Sequence, residues 1–490
     1  MKRLILSSIA VGALLLMAAP VSAAELKKLD LGKNAEVWFS EDHTVPIIAV
    51  VAALPAGSVY DPAGKPGLAS FAASLIDEGA GNMDTRAFHE TLADKAIQFS
   101  ASVDRDSLVI SVTSLKENMP QAMKLLQTAL LHPRFDSEAV NRIRTQILQS
   151  IQQGDSRPPT VARRAFVKAF FNGHPYGHDS DGDPASVASI TPDDLRGFAR
   201  SHWVRGGLKV SIAGDISPAE ATKLVGDTFK PVPDVRPASP PAIRRLGAPG
   251  THVIAMDVPQ PTVIFGLPGI MRADPDFIPG YVANYILGGG GFSSHLMDEV
   301  RVKRGLTYGI STQVSAYNRA AIMLGSVATR ADAVRHTITV VHDTLADFAR
   351  TGATQAELDD AKTFLTGSFP LAFSSTSGFA AQLSTFQRQG LDIGYVARRN
   401  SLIQQVSLED VRRVAKKLFD PARLTVVVAG SPVEGRKATE RPKNPVRPTP
   451  PQQGAPATAN TAAAPTPGVK PMVKPQVKAP IEPGRTPTPP

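Results

Sequence analysis

Two stretches of this chain repeat one pattern, and an internal duplication constrains a fold more tightly than any overall property of the sequence. ITPDDLRGFARSHWVRGGLKVSIAGD closes one half and VSLEDVRRVAKKLFDPARLTVVVAGS closes the other, each reading as an amphipathic helix and then a strand ending in Ala-Gly. Asp194 and Gly214 stand 20 positions apart, as do Asp410 and Gly430, and the copies are offset by 216. At the front of the halves, Asp61-Pro62 with Pro66-Gly67 matches Asp274-Pro275 with Pro279-Gly280 at an offset of 213. Two anchors with nearly equal offsets identify a duplicated domain.

The breaker-rich stretch KPVPDVRPASPPAIRRLGAPG separates the copies. We divide the body into an N-terminal domain over 25–231, a linker over 232–249 and a C-terminal domain over 250–432. PIIAVVAALPAGSV and the alternating QFSASVDRDSLVISV read as strands of the first half, HVIAMDV and TVIFGLPG as strands of the second. SEAVNRIRTQILQSIQQ and ADAVRHTITVVHDTLADFAR read as long helices. Strands and helices are segregated instead of strictly alternating, so the expected class is α+β, each half a mostly antiparallel sheet backed by helices.

Neither end belongs to that body. Lys2 and Arg3, an apolar run from Leu4 to Ala19 and the small residues Ser22, Ala23 and Ala24 make 1–24 a cleavable signal peptide of the secretory kind. A membrane anchor is the weaker alternative, because the run is short and no comparable segment follows. Residues 433–490, rich in Pro, Ala and Lys, carry too little apolar bulk to offset ordering entropy and read as a disordered tail. The favoured reading of this tail is a solvated extension, with contact to peptidoglycan, an anionic surface or a partner as the alternative.

Of the net charge of +9, the tail contributes +6 and Lys2 with Arg3 another +2, which leaves the body near +1 and argues against a nucleic-acid partner. The 490 residues include no cysteine, which excludes disulfides, thiolate metal sites and thiol nucleophiles.

GLASFAASLIDEG has helical rhythm, with Leu68, Phe71, Ala72 and Leu75 on one stripe and Ser70, Ala73, Ser74 and Asp77 opposite. That second face carries almost no chemistry. His174 and His178 are separated by Pro175 and Gly177, which argue for a loop, and His336 and His342 fall on different faces of their helix. The run Gly288 to Gly291 is followed by Phe292, Ser293 and Ser294 instead of the Lys-Ser/Thr of a phosphate loop.

The stretches GSVYDPAGKPGLASF, HPYG and GGGGFSSHLMDEVRVKRGLTYGI together resemble the insulinase-like, or pitrilysin-type, zinc metallopeptidase family, over about residues 36–430. The resemblance implies α+β halves, four of which enclose a chamber where an extended peptide is cut. It also implies an inverted H-x-x-E-H zinc motif on the first helix. Those positions hold Ser70, Ala73 and Ser74, and the expected Glu ligand of the later long helix falls at Gln149. Neither metal nor any other cofactor is therefore expected on this chain.

In the family an Arg and a Tyr seven residues later reach from the second half toward the substrate, and they correspond here to Arg301 and Tyr308. Read on residue type alone, Arg301 is a cation ending a helix and Tyr308 an ordinary strand residue, the reading the residues by themselves favour. The resemblance makes them groups assisting catalysis in trans, and it makes Gly289, Gly290, Gly291 and Phe292 a substrate-binding loop. The glycines alone are also compatible with a simple turn.

The expectation is thus an exported, periplasmic, non-catalytic subunit, with zinc held by a homologous partner subunit that carries the intact motif. A peptide-binding or assembly module with no part in proteolysis is the alternative. No transmembrane segment is expected in the mature chain.

Overall fold

The computed structural model describes residues 25–431, so the leader read at 1–24 and the tail read at 433–490 lie outside the described residues. Each half contains one sheet. The first is ordered β1 (Leu26–Leu29), β2 (Ala35–Glu41), β6 (Leu208–Gly214), β3 (Ile47–Leu54), β5 (Leu108–Leu115), β4 (Gln98–Val103). The second runs β7 (Gly250–Ile254), β11 (Thr425–Ala429), β8 (Thr262–Pro268), β10 (Ala321–Ala328), β9 (Ile310–Ala316). Pairing is antiparallel except for β2 with β6 and β11 with β7, and these exceptions occupy the same place in the two sheets. The structure is α+β and duplicated, as the repeat requires.

The same local chemistry builds both copies. Thr191 and Asp194 form a capping box at the Pro192–His202 helix, and Ser407 and Asp410 form one at Leu408–Leu418. In each, the hydroxyl accepts from a backbone N–H of the first turn while the carboxylate accepts from the cap's own N–H, satisfying two donors that a helix start leaves free.

Strand β3 is apolar almost throughout because both of its faces are covered. Ile48, Val50, Ala52 and Leu54 face the helices of their own half, whereas Ala49 and Val51 meet Ala380 on the Thr376–Arg388 helix of the other half. The second sheet mirrors this arrangement. Val426 and Val428 of β11 face their own helices, while Val427 and Ala429 pack with Ala162, Phe166 and Phe170 from the Pro158–Phe171 helix of the first half. Each half therefore lends a helix to the outer face of the other's sheet.

Polar groups fix the register of this exchange. Ser211 Oγ donates to the Ala380 carbonyl at 2.7 Å, and the buried Gln387 amide donates to the carbonyls of Glu36 and Val210, both at 3.2 Å. The β4–β5 and β9–β10 turns also meet, where Asp106 accepts from the Asn318 backbone N–H at 3.0 Å and from the Tyr176 hydroxyl. The linker is anchored as well: Arg205 and Gly206 donate their N–H groups to Pro233 and Val235, and Gly247 donates to Phe170.

Phe166 is fully buried at the exchanged interface. Phe166→Ala is expected to remove about 3–5 kcal/mol and to destabilise both halves together. Urea unfolding followed by the fluorescence of Trp38 and Trp203 in the first half, and by hydrogen exchange of β8 and β11 in the second, would check this through coincident transitions.

Candidate functional site

The first-half motif begins with a buried carboxylate. Asp61, whose side chain has no exposed surface, accepts from the backbone N–H groups of Gly67 (2.8 Å) and Ala69 (2.7 Å) and from His178 Nε2 (3.0 Å). It thereby holds the N-terminus of the Leu68–Ala73 helix and ties it to the HPYGH loop. Gly67 sits at φ +92, and a Cβ there would come within 2.8 Å of Asp181 O and Gly182 N, so this junction admits only glycine. His174 and His178 lie on either side of the 3-10 turn Pro175–Gly177, not on a helix. His174 accepts from Tyr176 N–H and donates Nε2–H to the Pro241 carbonyl at 2.9 Å.

The helix is shorter than its sequence rhythm predicts. It ends at Ala73 with Ser74 as C-cap, and Leu75 to Glu78 form successive turns, so the helical face does not extend to Asp77. Ala73, expected on the polar side, is only 4% exposed because its methyl group joins the first core. Leu68, Phe71, Ala72 and Leu75 are buried as read.

At the four positions of the family's zinc chemistry the side chains do not fit the ion. Ser74 Oγ donates to the Ser70 carbonyl at 2.9 Å, turned back on its own helix, and Ser70 is partly exposed. Ala73 offers only a methyl group. Gln149 is an exposed neutral amide on the Ser137–Asp155 helix. No imidazole, carboxylate or general base is present among these residues.

One turn further on, potential ligand atoms of Asp77, Glu78 and His89 lie within 4.8 Å of one another. Burial pushes the Asp77 carboxyl above its usual range, opposed by the nearby His89. Glu78 is already claimed by the Arg142 guanidinium. The sequence pattern passed over this cluster because His89 comes from the separate Thr85–Asp94 helix.

The second-half segment is built from wide and tight turns. The Phe277–Asn284 helix loosens into a π-turn at Tyr285–Gly289, a 3-10 turn follows at Gly291–Ser293, and a second π-turn spans Met297–Val302. Such widened turns concentrate where a helix must place particular side chains. Gly288 belongs to the packing: a Cβ there would lie 2.4 Å from Thr312 Oγ1. Gly289, Gly290 and Gly291 reach the surface, and Gly291 turns at φ +61 into open space.

Arg301 lies in the second π-turn with its guanidinium 4.5 Å from the centroid of the Phe292 ring, a cation–π contact between two predicted site residues. Its neighbours Lys303 and Arg304 bind Glu299 and hold that carboxyl below its usual range. Arg301 itself has no acidic partner among the described residues. Tyr308 precedes β9 instead of lying within it and is 85% exposed, its hydroxyl without a partner among the described residues. Phe292 is 71% exposed. The turn thus presents a fork of N–H donors, a phenol and an apolar ring with their bonding capacity uncommitted.

Two family profiles match this chain: one described as insulinase (peptidase family M16) at residues 36–181, and one described as the peptidase M16 inactive domain at 189–365. The chain belongs to the insulinase family. Among its relatives is a protein of Helicobacter pylori named non-peptidase homolog YmxG, 26% identical over 396 residues, covering 81% of this chain and 91% of the relative. A probable mitochondrial-processing peptidase subunit beta of Schizosaccharomyces pombe is 26% identical over 429 residues, 82% of this chain and 91% of the relative. A solved peptidase M16 inactive domain from Pseudomonas fluorescens superimposes with a TM-score of 0.80 at 28% identity, covering 84% of this chain and 99% of that one.

Likeness to insulinase-family members named as non-peptidase or inactive accords with the donor set at 70, 73, 74 and 149. No helix among the described residues is long and apolar enough to cross a membrane.

Two outcomes follow for the first half. Asp61→Ala, which leaves buried donors unpaired, is expected to cost about 1–3 kcal/mol for each donor that finds no water, read from the urea midpoint. Zinc or a chelator is expected to leave the thermal midpoint of the isolated wild-type chain unmoved, and a zinc-dependent rise would reveal a site elsewhere.

Proposed function

We propose that this chain is a non-catalytic, exported subunit of an insulinase-type peptidase, acting in the periplasm beside a homologous subunit that carries the zinc. The observation that carries this reading is the contrast between the halves. The first-half motif offers no metal ligand, while partly exposed Arg301 and exposed Tyr308 of the second half have no acidic or hydrogen-bonding side-chain partner among the described residues. One relative's name includes the word subunit, which supports an assembly of more than one chain.

In this reading zinc held by the partner subunit would supply the activated water, and the present chain supplies binding and charge. The Arg301 guanidinium forks onto a peptide carbonyl or carboxylate. The Tyr308 hydroxyl donates to the oxygen that gains negative charge as the peptide bond is attacked, an interaction stronger in the transition state than in the ground state. Gly289, Gly290 and Gly291 let an extended substrate backbone approach, with Phe292 beside it holding Arg301 in place. Both assisting groups come from one short segment, seven residues apart, one in the second π-turn and one just before β9.

The isolated chain is expected to show no chelator-sensitive cleavage of unstructured peptides. Added to a zinc-motif subunit it should raise cleavage, and Arg301→Ala or Tyr308→Phe should each lower that gain by roughly tenfold or more while leaving complex formation intact by analytical ultracentrifugation. A gain unchanged in both variants would return the chain to the role of a peptide-binding or assembly module.

A further inference from the structure

Five of the ten large apolar side chains that stand exposed on the described residues fall in two segments: Phe292, Val302 and Tyr308 in the glycine-rich segment, and Phe364 and Leu371 at the end of the Gln355–Gly367 helix and just beyond it. Scattered exposed apolar residues need no explanation, but a concentration of them marks a surface that meets an apolar group. An aromatic stack joins the two segments. Tyr285, which opens the first π-turn, stacks on Phe364 with ring centroids 5.3 Å apart and planes inclined by 25°.

That stack borders the glycine turn. Gly290 donates its N–H to the Tyr285 carbonyl at 2.7 Å, and a Cβ at Gly290 would lie 3.1 Å from Cε1 of the Tyr285 ring. The absence of a side chain at 290 is therefore what lets the ring lie against the backbone of the turn. Phe364 remains 52% exposed beside this ring. A stacked pair with half of one side chain still in the open can take a further ring or a branched aliphatic group, gaining buried area and aromatic contact. Successive side chains of an extended peptide point to opposite sides, so a backbone lying over Gly289 to Gly291 directs every second one toward the protein.

We propose that Tyr285 and Phe364 form a specificity subsite that receives an apolar, preferably aromatic, side chain of an extended peptide lying over the glycine turn. This inference rests on the reading of that turn as the peptide-holding element and adds the class of peptide it selects. Phe364 is the specificity-determining residue, and Tyr285 positions it.

The test is direct binding, independent of any partner subunit. Two labelled, unstructured peptides identical except for Phe or Ala at one central position are titrated with the full chain and followed by fluorescence anisotropy. The wild-type chain is expected to bind the Phe peptide about tenfold more tightly, Phe364→Ala to reduce that ratio to about twofold or less, and Phe364→Leu to restore part of it. Circular dichroism and the urea midpoint confirm that the variants are folded, since Phe364 is half exposed. Equal binding of both peptides by the wild-type chain, or a preference that survives Phe364→Ala, overturns the subsite while leaving peptide binding by the turn in place. Failure of the wild-type chain to bind either peptide overturns the peptide-holding role of the turn and the subsite together.

Discussion

The exchange of helices between the halves is the constraint on which the rest of the structure depends. A sheet with one face on its own helices would leave its other face, including Ala49, Val51, Val427 and Ala429, in water. The Thr376–Arg388 and Pro158–Phe171 helices close those faces reciprocally, so the hydrophobic free energy of each half is completed by a segment of the other. Buried donors such as Ser211 and Gln387 then exclude alternative registers, because sliding the helix would leave them unpaired. The anchored linker and the meeting of the two hairpin turns follow from the same docking.

Within that frame, the two copies of the motif region serve different ends. In the first half the surroundings of the vacated motif are retained: Asp61 still gathers the helix start and His178, and Gly67 still fits against Asp181 and Gly182. These contacts stabilise the fold whether or not a metal is bound, which explains how ligand residues can be exchanged for small uncharged ones without loss of the local architecture. In the second half the corresponding helix breaks into π and 3-10 turns, which keep Ile286, Leu287, Met297 and Val300 in the core and leave Phe292, Val302 and Tyr308 exposed.

The electrostatics divide in the same way. In the Asp77, Glu78 and His89 cluster, Glu78 is paired with Arg142 and Asp77 lies beside His89, so its acidic groups have partners within the protein. Lys303 and Arg304 are likewise neutralised by Asp298 and Glu299. Arg301 is held by the face of Phe292, a contact that orients a guanidinium while consuming none of its in-plane donors. A cation fixed in this manner remains available to a ligand, which is why a ring neighbour and a carboxylate neighbour have opposite consequences for function.

The sequence by itself determined what is periodic or local. The offset repeat established two α+β copies, and the residue types at 70, 73, 74 and 149 took the family's zinc ligands out of the first-half motif. Tertiary structure decided what depends on distant partners. The early end of the first helix, the burial of Ala73, the exchange of helices between sheets and the stack of Tyr285 on Phe364 were not legible, because each is set by surfaces far along the chain. A repeating pattern tells which face of an element is apolar; only the folded chain selects the neighbour that covers it.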